Sequence, residues 1–184
     1  MIIMLIKEKA REILFELTET DSLRKHARTV ELVMKALARH FGEDEEKYAI
    51  TGMLHDADYE KFPERHPGLI VDRLKAMGEE EIAHAIAGHY TIWNVPRNSL
   101  MDKCIVAADE LTGFIVAASL IRPTRIVGLT PGSVIKKLKT KTFAAKVDRE
   151  EVYRGAQLLG WEIQDLIQFI IDVLEKNKEE LELF

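Results

Sequence analysis

A single cysteine, Cys104, is all that this 184-residue chain holds for disulfide chemistry, so it has no internal disulfide framework. That usage fits a reducing compartment, and a cytoplasmic location is expected. Long apolar runs are missing too. No stretch of about eighteen uninterrupted apolar residues occurs, which argues against a membrane span. The opening MIIMLIKEKARE begins apolar, but its charges follow that run and no small-residue cleavage site comes after it. It does not read as a signal peptide. A strong excess of either charge is absent: 26 basic against 31 acidic residues leave −5, and no stable nucleic-acid complex is expected. Internal repeats and low-complexity segments are also lacking, and strand-like alternation is scarce.

What is present is helical periodicity, in nearly every segment. DSLRKHARTVELVMKALARHFG has a cap candidate in Asp21 or Ser22 and a terminal Gly42. EDEEKYAITGMLHD starts acidic, as a helix N-terminus favours. HPGLIVDRLKAMG has Pro67 in its first turn and Gly78 after its last, and EEEIAHAIAGHY follows at once. SLMDKCIVAADELTGFIVAASLI is long and stops before Pro123. TPGSVIKKLKTK is a short helix, DREEVYRGAQLLG pairs Asp148 with Glu151 as a capping box, and WEIQDLIQFIIDVLEKNKEELELF closes the chain. Connections are short. The expected fold is an all-α, single-domain helical bundle of about seven to nine helices over 1–184, with a core at about 21–121 and a basic segment and C-terminal helices over 122–184.

The informative residues are polar ones placed on apolar faces. Asp109 has Ile105 and Val106 at minus four and minus three, and Gly113 and Val116 at plus four and plus seven. A lone carboxylate there must be compensated or neutralised. Its mid-helix position excludes capping, leaving a metal ion or a cationic partner. His26 sits among Leu23, Val30 and Val33; His89 among Ile82, Ala85 and Ile86; His55 and Asp56 end a helix that turns Ile50 and Leu54 inward. Any one buried histidine reads most simply as a hydrogen-bonded core residue. Five such groups on four helices are better explained by a shared metal site of hard-to-borderline character. His84 lies five residues before His89, about 140° around the helix, so the two cannot share a site. It neighbours Glu80 and Glu81 and reads as solvated. His40 shares a face with His26 but lies about 21 Å further along the axis. His66, at the start of a helix, reads equally as a loop residue or a second metal ligand.

The order His26, His55-Asp56, Asp109 resembles the HD superfamily of metal-dependent phosphohydrolases, and His66 in ERHPG and His89 in AIAGHY are similar to the extra ligands of its dinuclear members. The segments ADELTGFIVAASLIRP and KTFAAKVDREEV further resemble a subgroup of small predicted HD hydrolases. The resemblance implies an all-α enzyme with one or two divalent ions (Fe, Mn, Co, Ni, Zn or Mg). One would sit at His26, His55, Asp56 and Asp109, the other at His66, His89 and a bridging Asp56. It implies hydrolysis of a phosphomonoester or phosphodiester, in a nucleotide or other small phosphorylated metabolite, by metal-activated water. A dinuclear iron oxygenase and a non-catalytic nucleotide-binding sensor are the alternatives. The sequence leaves a homodimer open.

Asp58 and Glu60 follow the HD pair and are candidates to orient the water or a ligand histidine, alongside catalytic Asp56. Between Arg122 and Lys146 stand Arg122, Arg125, Lys136, Lys137, Lys139, Lys141 and Lys146, with no acidic residue. This local reversal of charge reads either as a phosphate-gathering rim or as a solvated face. Arg122, Lys137 and Lys141 are the candidate substrate contacts, the two lysines four apart on one expected helix.

Overall fold

The computed structural model describes residues 5–184, so the apolar start at Met1–Met4, weighed above as a signal peptide, lies outside the described residues. The protein is all-helical: among the described residues there are ten α-helices, two 3-10 turns and no strand. They are α1 (Lys7–Leu17), α2 (Asp21–Phe41), α3 (Glu45–Leu54), α4 (Gly68–Ala76), α5 (Glu80–His89), α6 (Leu100–Leu120), α7 (Pro131–Leu138), α8 (Arg149–Leu159), α9 (Ile163–Lys176) and α10 (Lys178–Leu181). The eight segments read from the sequence correspond to α2 through α9; the two not read there are α1, of 11 residues, and the four-residue α10. No described helix is long and apolar enough to cross a membrane.

Local chemistry sets the helix ends. Asp44 accepts from the N–H groups of Glu46 and Lys47, and Asp148 from those of Glu150 and Glu151. Gly42 (φ +74°) ends α2 in the left-handed region, where a Cβ would be strained. Two capping expectations change. The N-cap of α2 is Thr20, whose side chain makes no capping bond. The backbone N–H groups of Glu19 and Thr20 instead donate to the Glu60 carboxylate at 2.7 and 3.1 Å. At α8 the reciprocal half of the capping box comes from elsewhere. The Asp148 N–H donates to Glu110 Oε2 at 3.2 Å, while Glu151 pairs with Arg154. In both cases a carboxylate distant in sequence reaches the backbone before the local one does.

The chain forms two compact units, 1–105 and 106–184, with the boundary inside α6. In the first, α2 and α3 make the most extensive contact, and α4 and α5 pair beside them. Ile13, Met34, Leu37, Ile50, Leu54, Leu74 and Ile86 are fully or almost fully buried there. A buried carboxylate, Glu31 on α2, is matched by Lys7 at 2.7 Å and Arg28 at 2.5 Å, which ties the start of α1 to α2. Cys104 is inaccessible, and burial pushes its thiol up to about 12, so it is unreactive. In the second unit α7, α8 and α10 each pack on α9 around Val134, Val152, Ile167 and Ile170.

The close approach of α2 and α3 requires glycine at position 52. A Cβ there would stand 2.8 Å from the Val30 carbonyl oxygen and 3.0 Å from Glu31 Cα, both backbone atoms that cannot swing aside. Gly52→Ala is therefore expected to cost about 1–3 kcal/mol of stability, read as a lower urea midpoint. An unchanged midpoint would contradict this packing.

Candidate metal centre

α2 and α3, pressed together at Gly52, carry the first donors. His26 projects from the early part of α2, and His55 and Asp56 follow the last residue of α3. His26 Nε2 and His55 Nε2 lie 3.2 Å apart. Asp56 Oδ2 is 3.4 Å from His55 Nε2 and 3.7 Å from His26 Nε2. The other oxygen of the same carboxylate, Oδ1, lies 3.4 Å from both His66 Nε2 and His89 Nε2. One carboxylate thus stands between two pairs of imidazoles. His55 is fully buried, the His66 and His89 side chains are nearly so, and Asp56 keeps 28% of its side-chain surface exposed.

Three of these imidazoles have their proton placed by a neighbour. His55 Nδ1 is 2.8 Å from the Gly52 carbonyl, His66 Nδ1 is 2.7 Å from Asp58 Oδ1, and His89 Nδ1 contacts the Ile86 carbonyl. Carbonyl and carboxylate oxygens can only accept, so each Nδ1 donates and each neutral ring keeps its lone pair on Nε2. All three Nε2 atoms face the cluster. Asp58 is itself buried, and its second oxygen accepts from the Ile70 N–H at 3.0 Å, which fixes it against α4. The oxygens of Glu60 accept from the N–H groups of Glu19 and Thr20 and from the Thr20 hydroxyl at the chain entry into α2.

Lone pairs and an anion packed face to face repel, and the arrangement calls for a cation among them. Burial alone would raise the Asp56 pKa, but positive charge at His55 and His89 and hydrogen bonds from them outweigh it and hold the carboxyl well below the usual range; a bound cation would supply the same charge with the rings neutral. A first-row divalent ion with bonds near 2.1 Å sets adjacent ligand atoms about 3.0 to 3.4 Å apart. The observed spacings of 3.2 to 3.7 Å within His26, His55 and Asp56, and of 3.4 Å from Asp56 to His66 and to His89, suit such an ion. Two donor groups result, one containing His26, His55 and Asp56, the other Asp56, His66 and His89. The donors are imidazole and carboxylate with no thiolate, compatible with Fe, Mn, Co, Ni, Zn or Mg. His66, evenly balanced on sequence grounds, lies inside the cluster.

Asp109 is half-buried on α6 beyond the unit boundary. In the second unit Lys137 lies with its Nζ 4.8 Å from the Phe143 ring centre, and Arg122 donates to the Arg125 carbonyl at 3.1 Å. The pairing of Lys137 with Lys141 on one helix does not hold, because α7 ends at Leu138 and Lys141 falls in the turn that follows. His84 is not simply solvated: its Nδ1 lies 3.1 Å from the buried Asp102.

Sequence reading missed the groups that aim the histidines. Gly52 and Ile86 each lie three residues before the imidazole they orient, in the last turn of a helix, where carbonyls run short of backbone partners. A histidine at a helix C-terminus is the available signal. Tyr59 was also missed as a neighbour of the cluster; its ring and that of Tyr90 lie edge-on to His66 at 5.5 and 5.3 Å.

Residues 23–113 match a family model described as HD domain. No curated protein and no solved structure gives a match. The buried Asp58–His66 bond generates a direct test. Asp58→Ala frees the imidazole to rotate, and retained divalent metal should bind about 10- to 100-fold more weakly by competition with a chelating dye. Unchanged affinity would show that His66 needs no such support.

Proposed function

We propose, from the premise that residues 23–113 place this chain in the HD domain family, that it is a metal-dependent phosphohydrolase acting on a small phosphorylated metabolite, nucleotides among them. The observation that carries this reading is the cluster of His26, His55, His66 and His89 around Asp56, with three rings held so that Nε2 is the donor. The proposed first site comprises His26, His55 and Asp56, with Asp109 as its fourth ligand. The proposed second comprises His66, His89 and the other oxygen of Asp56. A bound divalent ion supplies Lewis acidity, lowering the pKa of water toward neutrality and offsetting charge on phosphoryl oxygens.

The chain's own residues provide the rest. Asp56 stays ionised among the imidazoles and can serve both sides at once. His55 and His89 are locked by helix-end carbonyls, and His66 by Asp58, so little reorganisation is needed on binding. Buried walls around His55 and Asp58 limit water at the back of the site. Arg122, Lys137 and Lys141 are the proposed anion-gathering groups, drawn from a segment that carries no opposing charge. The single buried thiol suits a cytoplasmic setting.

Metal analysis of protein purified without chelator should find at least one divalent ion for each chain. A panel of phosphomonoesters and phosphodiesters assayed with Mn, Co, Ni, Zn, Fe and Mg should reveal turnover. Asp56→Ala is expected to lose both metal and activity, and full turnover in that variant would end the proposal. Lys137→Ala should raise KM for a phosphorylated substrate several-fold with metal content unchanged. No change in KM would return the basic segment to a solvated face.

A further inference from the structure

The first unit contains a second concave site that shares no residue with the metal cluster. A cavity of about 830 Å³ is lined by parts of α3, α4 and α5 and by the start of α6. None of His26, His55, Asp56, His66 and His89 contributes to its wall.

Two polar groups on its lining have capacity to spare. His84 Nδ1 lies 3.1 Å from Asp102 Oδ1, and Asp102 is 1% exposed. The other oxygen of Asp102 accepts from the N–H groups of Asn98 at 3.0 Å and Ser99 at 2.8 Å, so the carboxylate is held at the head of α6. An ionised carboxylate only accepts. His84 therefore donates from Nδ1, and its Nε2 is left as an acceptor. Tyr48 also lines the cavity and is 3% exposed, yet its hydroxyl meets no hydrogen-bond partner among the described residues. The ring is buried but the hydroxyl oxygen itself is accessible, so it is open to a partner entering the cavity.

The remainder of the wall combines apolar area with negative charge. Val71, Trp93, Leu100 and Met101 supply the apolar side. Five lining carboxylates, from Glu43, Asp44, Glu80, Glu81 and Asp102, face two lysines, Lys47 and Lys75, a surplus of three negative charges. Lys47 is already engaged by Glu81 at 2.6 Å. A concave site with a surplus of one charge concentrates its field and repels anions, phosphate included.

We propose that this cavity binds a small organic cation: an ammonium group carried on an apolar body. The ammonium donates to His84 Nε2 and to the Tyr48 oxygen, and the apolar body lies against Trp93 and Met101. Trp93 is 42% exposed and lines the cavity, so it supplies aromatic surface to that body. A purely apolar occupant would leave the Tyr48 hydroxyl and His84 Nε2 unpaired, and an anion would meet the acidic wall. The site is independent of the hydrolase reading and stands or falls without it.

The test uses the full chain in a Trp161→Phe background, which leaves Trp93 as the sole tryptophan. The probes are phenethylammonium, neutral 2-phenylethanol and anionic 3-phenylpropionate, titrated against Trp93 emission. Phenethylammonium alone should give a saturable change. Tyr48→Phe should weaken its binding about tenfold, and so should Glu43→Gln combined with Glu80→Gln, with metal content constant in each. Glu43 and Glu80 are exposed, so the double variant decides the matter even if the Tyr48 variant fails to fold. Absence of saturation, equal binding of all three probes, or undiminished binding by the double glutamine variant would each overturn the proposal.

Discussion

Four imidazoles facing one carboxylate are the constraint on which the first unit depends. In a protein interior such groups repel or lose hydration, and each ordinarily seeks its own partner. Here three of the rings donate their Nδ1–H to a partner behind them and present lone pairs forward. That division of labour turns an unfavourable gathering of polar atoms into a set of donors that could hold a cation. The apolar mass around it, from Val30 and Leu54 to Ile70 and Ile86, keeps the spacing from relaxing.

Helix geometry does most of the positioning. α2 and α3 approach closely because Gly52 has no side chain to hold them apart, and this brings His26 on one helix to His55 on the other. Gly52 also lends its carbonyl to His55, so one residue sets both the packing and the tautomer. The same device recurs at the end of α5, where His89 uses the carbonyl of Ile86. His66 lies outside any helix, in a stretch with no regular helix-end carbonyl to use, and it is held by a side chain, Asp58, which is held in turn by the start of α4. Loop ligand and helix ligands reach the same orientation by different means.

Charge is divided sharply along the chain. The carboxyl of Asp56 is held well below its usual range by charge at His55 and by hydrogen bonds from His55 and His89, against the effect of burial. The α3–α6 cavity carries an acidic surplus, while residues 122–146 carry only basic charge. A net charge of −5 conceals this pattern, since segments of opposite sign cancel in the total.

Helical class and the identity of most donors could be read directly from the chain. The 3.6-residue period fixes which side of a helix each residue occupies, so His26, His55, Asp56 and His89 stood out as polar atoms on apolar faces before any contact was known. His66 could not be placed that way, because a loop residue has no period; only the fold brings it to Asp56. The capping of α2 by Glu60 and the bond from the Asp148 N–H to Glu110 were equally hidden, as was the bond from His84 to Asp102. Each joins residues distant in sequence, or on different helices, through an orientation that no local pattern encodes. Sequence by itself determined which residues face inward, since helix periodicity is a short-range property. Tertiary structure alone decided which of them meet, and with which proton on which nitrogen, because that depends on how closely two helices approach and which carbonyl or carboxylate lies behind each ring.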